Sequence, residues 1–181
     1  MDVLWNRLRY VLSPQFDIYE QLAQLARGRV ADIGSGTGFG THLLAIGADE
    51  ACGFEVDDNA IRFARRSFPL PNLRFLTGNI VAGIGGTFDF VTMVDVIEHL
   101  ADDRGAIANA KAMLAPGGMF ACSTPNRLSR YRKAETHVRE YSPDELEAVL
   151  RGAFEYVNIR NYRLEPLSSP FENPIIGICH Q

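Results

Sequence analysis

The sequence has too little cysteine for a disulfide scaffold: Cys52, Cys122 and Cys179 are three in 181 residues and lie far apart in apolar runs. None has the close spacing of a metal ribbon or a redox pair, so buried free thiols in a reducing compartment are expected. Long hydrophobic runs are also missing. The longest are strand-length, short of the roughly 18 to 20 residues that cross a bilayer, and no basic-then-apolar leader opens the chain. Membrane insertion is therefore not expected, and a cytoplasmic location is. Positive charge is not in excess, since 18 Lys and Arg face 22 Asp and Glu for a net of −4. That balance excludes a general coat for nucleic acid or for an anionic membrane. Repeats, low-complexity tracts and flexible linkers are absent as well. What is present is an ordinary globular composition, 46% apolar and 22% charged. At about 150 residues per domain, the length points to one domain over residues 1–181, with a helical cap over 1–27 and a core over 28–181.

The cap is read from Val3, Leu4, Leu8, Val11 and Leu12, then Ile18, Leu22 and Leu25, which recur at three- and four-residue steps. This spacing predicts two helices divided at Ser13-Pro14, with Ser13 as a cap and Pro14 in the first turn, where its missing amide costs nothing. Beyond Gly28 short β-rich runs alternate with helical periods. The order is RVADI, a helix over 38–47, ACGFEV, a helix over 58–67, LRFLTG, FDFVTMV, a helix over 103–114, and GGMFACST. Such alternation predicts βαβ units and a parallel sheet covered on both faces. In YSPDEL, Ser142 caps, Pro143 takes the first helical position and Glu145 stands where a capping box needs it. That helix should run to about Arg151, and EYVNIR and PIIGIC supply the last strands.

RVADIGSGTGFG sets a buried strand, a glycine turn and a helix start in succession, so backbone can approach a ligand at the carboxyl end of the strand. No Lys-Ser/Thr pair ends the loop, which disfavours nucleoside triphosphate chemistry. Gly34, Gly36 and Gly38 read GxGxG, with Phe39 where a dinucleotide loop needs its last glycine, so a nicotinamide or flavin cofactor is disfavoured too.

With this loop the chain resembles the class I S-adenosylmethionine-dependent methyltransferases, whose first motif is a hydrophobic strand, an acidic residue and GxGxG. Asp32, Gly34, Gly36 and Gly38 match it, with Ser35 inside the loop. ACGFEVDDNAIRFARR is similar to the second strand, acidic residue and helix of that family. Glu55 then falls where the family binds both ribose hydroxyls, with Val56 beside it, and a carboxylate suits a vicinal diol. LRFLTGNI resembles the third motif, although Asn79 stands where an acidic residue usually receives the adenine amine. Ile80 would cover the adenine face, and the alternative is that Asn79 simply ends a strand. FDFVTMVDVIEHL and LAPGGMFACSTPN resemble the fourth and fifth motifs, so the likeness extends over about residues 20–180. It implies an α/β fold with a Rossmann-like, seven-stranded, mostly parallel sheet, helices on both faces and the last strand antiparallel. It also implies S-adenosyl-L-methionine as co-substrate.

Methyl transfer from a sulfonium is an in-line displacement, so alignment, exclusion of water and, for a hydroxyl acceptor, removal of a proton are the tasks. Asp95, Glu98 and His99 follow the fourth strand, and a helix there would put all three on one face. Two carboxylates so placed call for a proton or a cation between them. DxxEH is similar to the ExxEH of ubiquinone-pathway O-methyltransferases and of RNA 3′-end 2′-O-methyltransferases, in which it ligates a divalent metal. His137 matches the later histidine of the RNA enzymes by order along the chain. The metal candidates are thus Asp95, Glu98, His99 and His137; in the alternative, Asp95 touches the methionine end of the donor and no metal binds.

His99 and His137 are also the candidate general bases, as imidazoles titrating near neutrality. His42, in a helix, and His180, at a frayed end, are read as structural. NRLSRYRK sets Arg127, Arg130, Arg132 and Lys133 around Tyr131, either to hold an anionic acceptor or as a solvated loop. The function expected is O-methylation of a small-molecule, carbohydrate-linked or lipid-linked acceptor. The alternatives are a metal-dependent RNA 3′-end 2′-O-methyltransferase, which the net charge opposes, and a donor-binding regulatory protein without catalysis. Oligomeric state is left open.

Overall fold

The computed structural model describes residues 14–130 and 134–180. The first expected helix, the Ser13 cap, and Tyr131, Arg132 and Lys133 lie outside the described residues. The elements run α1 (Pro14–Leu25), β1 (Arg29–Ile33), α2 (Phe39–Gly47), β2 (Glu50–Glu55), α3 (Asp58–Ser67), β3 (Leu73–Thr77), β4 (Phe88–Val94), α4 (Asp103–Ala112), β5 (Leu114–Thr124), α5 (Pro143–Arg151), β6 (Tyr156–Asn161) and β7 (Ile175–His180). Seven strands form one sheet in the order β3-β2-β1-β4-β5-β7-β6. The five strands from β3 to β5 are mutually parallel, and β7 runs antiparallel to both β5 and β6.

Burial on both faces explains the near-continuous apolar strands. Val30, Phe90, Ala121 and Ile176 face one way and pack with Ile18 and Leu22 of α1, Leu44 of α2 and Ile61 of α3. Ala31, Ile33, Val91 and Met93 face the other way and pack with Ile107 of α4 and Leu146 and Leu150 of α5. Local signals act where the sequence puts them. Asp57 caps α3 by accepting from the Asn59 amide at 2.8 Å. The Ser142–Glu145 capping box opens α5.

Two expectations shift. The helix expected over 103–114 stops at Ala112, and β5 starts at Leu114 instead of Gly117. Leu114 pairs with Phe88, but the next pair is Met119 with Phe90, so a bulge takes up the surplus residues around Pro116 and Gly117. Gly117 sits at a φ of 75° there, a conformation open to glycine. His180 is not at a frayed end, since it pairs across the sheet with Met119 and Tyr156. All three cysteines are buried and free. No described helix is long and apolar enough to cross a membrane.

Candidate functional site

The carboxyl ends of β1, β2 and β4 meet at one edge of the sheet, and the glycine loop is fastened there. The amides of Gly34 and Ser35 donate to the Phe54 carbonyl at 2.8 and 3.0 Å, tying the loop to β2. Gly34 and Gly38 have φ of 71° and 88°. A Cβ on Gly34 would come within 2.4 Å of Val96 and one on Gly38 within 2.5 Å of Ala64. Conformation and close approach therefore both demand glycine. Ser35 is buried and its hydroxyl has no hydrogen-bond partner among the described residues.

Asp32, placed by the sequence among the donor-binding residues, is fully buried behind the loop. It accepts from the hydroxyls of Thr41 at 2.7 Å, Thr92 at 2.8 Å and Tyr19 at 3.1 Å. Burial pushes its pKa up to about 6, although all three hydroxyls pull the other way. Its carboxylate thus faces the scaffold, joining β1, α2, β4 and α1. Tyr19, Thr41 and Thr92 escaped the sequence reading because nothing local marks a hydroxyl that meets its partner across the fold.

Two clefts flank Gly34. One, of about 160 Å³, is lined by Gln15, Tyr19, Ser35 and Gly36. The other, of about 250 Å³, is lined by Phe54, Glu55, Val56, Asn79, Ile80 and His99. Glu55, at the end of β2, accepts from the Gly36 amide at 2.9 Å and from the Val56 and Asp57 amides at 2.7 and 3.1 Å. These backbone amides fix its carboxylate at the mouth. The Asn79 side-chain oxygen accepts from the Val81 amide at 3.0 Å and caps the short turn Ile80–Ala82. Asparagine does this as well as aspartate, and a second acceptor position remains on that oxygen.

The helix expected through Asp95, Glu98 and His99 is a single 3-10 turn, Ile97–His99. Asp95 precedes it at a φ of 52°, a left-handed conformation uncommon outside glycine. Its carboxylate accepts from the Ser123 hydroxyl at 2.9 Å and the Gln15 amide at 3.1 Å. Burial raises its pKa against those bonds. Asp95 lies outside the close group that the other side chains form, although its charge acts on Glu98 and both histidines act on it.

Glu98 and His99 instead meet His137, with one potential ligand atom from each lying within 4.8 Å of the others. Glu98 is fully buried. Its Oε2 accepts from the Thr124 hydroxyl at 3.0 Å, and its Oε1 has no partner among the described residues. Burial and then the Asp95 charge push its pKa up to about 7. The backbone carbonyl of Glu98 accepts from the Val138 amide at 2.8 Å, which draws the segment carrying His137 to the site. His99 Nδ1 lies 3.1 Å from the Thr136 carbonyl, which can only accept, so Nδ1 carries the proton. His137 Nδ1 likewise faces Glu140 at 3.0 Å. The two rings stand edge to face with centroids 5.0 Å apart.

Of the basic segment, Arg127 and Arg130 are described and differ in their surroundings. Arg127 is engaged by both oxygens of Glu145, at 2.6 and 2.9 Å, while Arg130 is exposed. Arg139, absent from the expected set, pairs with buried Asp103 at 2.6 Å. His42 packs its ring against Phe68 at 4.9 Å, in keeping with a structural role.

A family model described as a methyltransferase domain matches residues 4–157. The chain belongs to the S-adenosylmethionine-dependent methyltransferases. This methyltransferase is 32% identical over 144 residues to a probable S-adenosylmethionine-dependent methyltransferase of Mycolicibacterium smegmatis, covering 75% of this chain and 55% of that protein. It is 29% identical over 161 residues to the ubiquinone biosynthesis O-methyltransferase of Ruegeria pomeroyi, covering 77% and 65%. It thus spans little more than half the length of the first relative. The crystal structure of a TehB-like methyltransferase from Corynebacterium glutamicum matches it with a TM-score of 0.75 at 23% identity, over 97% of this chain and 92% of that one. At that identity the likeness concerns the fold.

Proposed function

We propose that this methyltransferase carries the methyl group of S-adenosyl-L-methionine to an oxygen of a small-molecule, carbohydrate-linked or lipid-linked acceptor. The observation that carries the reading is the Glu98–His99–His137 group beside the cleft that holds Glu55, because a hydroxyl acceptor must lose a proton as it is methylated. Glu55 takes the ribose diol, exchanging one of its backbone donors for a hydroxyl. Val56, Asn79 and Ile80 enclose the adenine, and the loop Gly34–Ser35–Gly36–Thr37–Gly38 borders the methionine end together with Asp95. His99 and His137 take up the proton, and Glu140 beside His137 stabilises the imidazolium that results.

Isothermal titration with S-adenosylmethionine and S-adenosylhomocysteine tests the donor site, with NAD as control. Both sulfur ligands should bind in the micromolar range, NAD should not, and Glu55→Ala should weaken donor binding by about tenfold or more, the worth of one charge-assisted hydrogen bond. An acceptor screen then separates oxygen from nitrogen. Failure of both sulfur ligands overturns the donor reading, and turnover on amines alone overturns the oxygen reading.

A further inference from the structure

We infer that Asp103 is a positioning residue for the reaction: its carboxylate fastens the segment that carries His137 to the start of α4 and so sets that imidazole at the site. The inference rests on the reading of His137 as a base.

Asp103 is 5% exposed, and a carboxylate so buried needs donors in place of water. Its Oδ1 accepts from the Arg104 amide at 2.7 Å. Its Oδ2 accepts from the Arg139 guanidinium at 2.6 Å and the Tyr141 hydroxyl at 2.8 Å. Helix α4 makes little demand on this side chain, since the preceding Asp102 is the cap and accepts from the Gly105 amide at 2.9 Å. Oδ2 is thus turned to residues that stand two and four places beyond His137. Residues two apart in an extended run face the same way, which lets Arg139 and Tyr141 converge on one atom.

The same stretch is tied through its backbone. The Glu98 carbonyl accepts from the Val138 and Arg139 amides at 2.8 and 3.2 Å, and the Tyr141 carbonyl accepts from the Arg127 amide at 3.0 Å. Those ties set the path of the chain, and the charge-assisted bonds to Asp103, stronger than neutral ones, hold it to α4. That helix is a firm reference, with Ala106, Ile107 and Ala110 buried in the core.

Residues 134–140 form no helix or strand of their own, so precision at His137 has to come from such anchors. A base must stand within about 2.6 to 3.2 Å of the proton it takes, and a displacement of about 1 Å can cost about 100-fold in rate. In this arrangement the His137 ring stands edge to face with His99 at 5.0 Å, its Nδ1 at 3.0 Å from Glu140. Asp103 acts through Arg139 and Tyr141 and takes no proton itself.

Two measurements on the full-length chain test this. NMR of ¹⁵N-labelled histidine rings reads position, and steady-state turnover with S-adenosylmethionine and the hydroxyl acceptor selected by the screen reads its use. Asp103→Asn and Arg139→Ala should shift the His137 ring signals and abolish the ring-to-ring contact with His99, while those of His42 and His180 stay in place. Arg139→Lys, which keeps the charge, should restore most of both. In Asp103→Asn, kcat should fall about 10- to 100-fold, with the donor Kd from calorimetry unchanged. In a His137→Ala background, Asp103→Asn should cost no further rate, whereas a role in stability alone would cost the same in either background. Should Asp103→Asn not fold, the exposed Arg139 decides through its alanine variant. Unmoved His137 signals in the variants, or shifted signals with unchanged kcat, would overturn the inference. If His137→Ala turns over like the natural protein, the base reading falls and the inference with it. An inactive His137→Ala beside a fully active Asp103→Asn overturns the positioning alone.

Discussion

Glu98 combines full burial with a carboxylate that the Thr124 hydroxyl supports, and burial dominates its proton affinity. Its pKa moves from an ordinary 4.5 to about 7 in the fold. Between those values the folded chain keeps a proton that the unfolded chain has lost, so stability falls as pH rises through the window and levels off above it. Asp32 acts in the same direction, from 3.8 to about 6. In metal-free protein, Glu98→Gln should flatten the melting-temperature profile between pH 5 and 7 and add on the order of 3 kcal/mol at pH 8. Thermal melts across that range check it, and an unaltered slope would mean that Glu98 is charged in the fold. The hydroxyls on Asp32 are graded by distance. Thr41→Val, which removes the 2.7 Å bond, should cost about 1 to 3 kcal/mol in urea unfolding, and Tyr19→Phe, at 3.1 Å, should cost less.

The contact of α1 with α2 depends on one missing side chain. A Cβ on Gly40 would lie 2.1 Å from the Tyr19 ring, so Gly40→Ala must move either the ring or the helix. The expected cost is about 1 to 3 kcal/mol, accompanied by weaker donor binding because Tyr19 lines a cleft and bonds Asp32. Paired denaturation and donor titration measure both. At this scale much was legible in the sequence. Strand and helix periods mark β4 and α3 to the residue, and a capping box with proline marks the start of α5. What escaped depends on backbone excursions and distant partners. The spacing of Asp95, Glu98 and His99 places them together only in a helix, whereas the left-handed φ at Asp95 turns it toward Ser123 and Gln15. Arg127 belongs to a basic run in sequence, but Glu145 takes its charge from the capping turn of α5. Glu55 and the three loop glycines are legible as neighbours because strand end and turn lie within one continuous motif, and the Gly36 amide does donate to Glu55.

Across the whole sheet, protection should follow strand order. β1, β4 and β5 have partners on both sides and helices over both faces, so their amides should exchange slowest with deuterium. The edge strands β3 and β6 should exchange sooner, and the segment 134–140 sooner still, apart from the Val138 and Arg139 amides held by Glu98. Exchange mapped by mass spectrometry checks this order; uniform protection would contradict it. The position of β7 between β5 and β6 also bears on synthesis. A chain leaving the ribosome completes both neighbours before the strand that separates them exists. From Thr124 to Ile175 the wait is several seconds at roughly 5 to 20 residues per second. Throughout that wait β5 offers an open edge, and β6, which runs parallel to it, is the first strand available to occupy the slot wrongly.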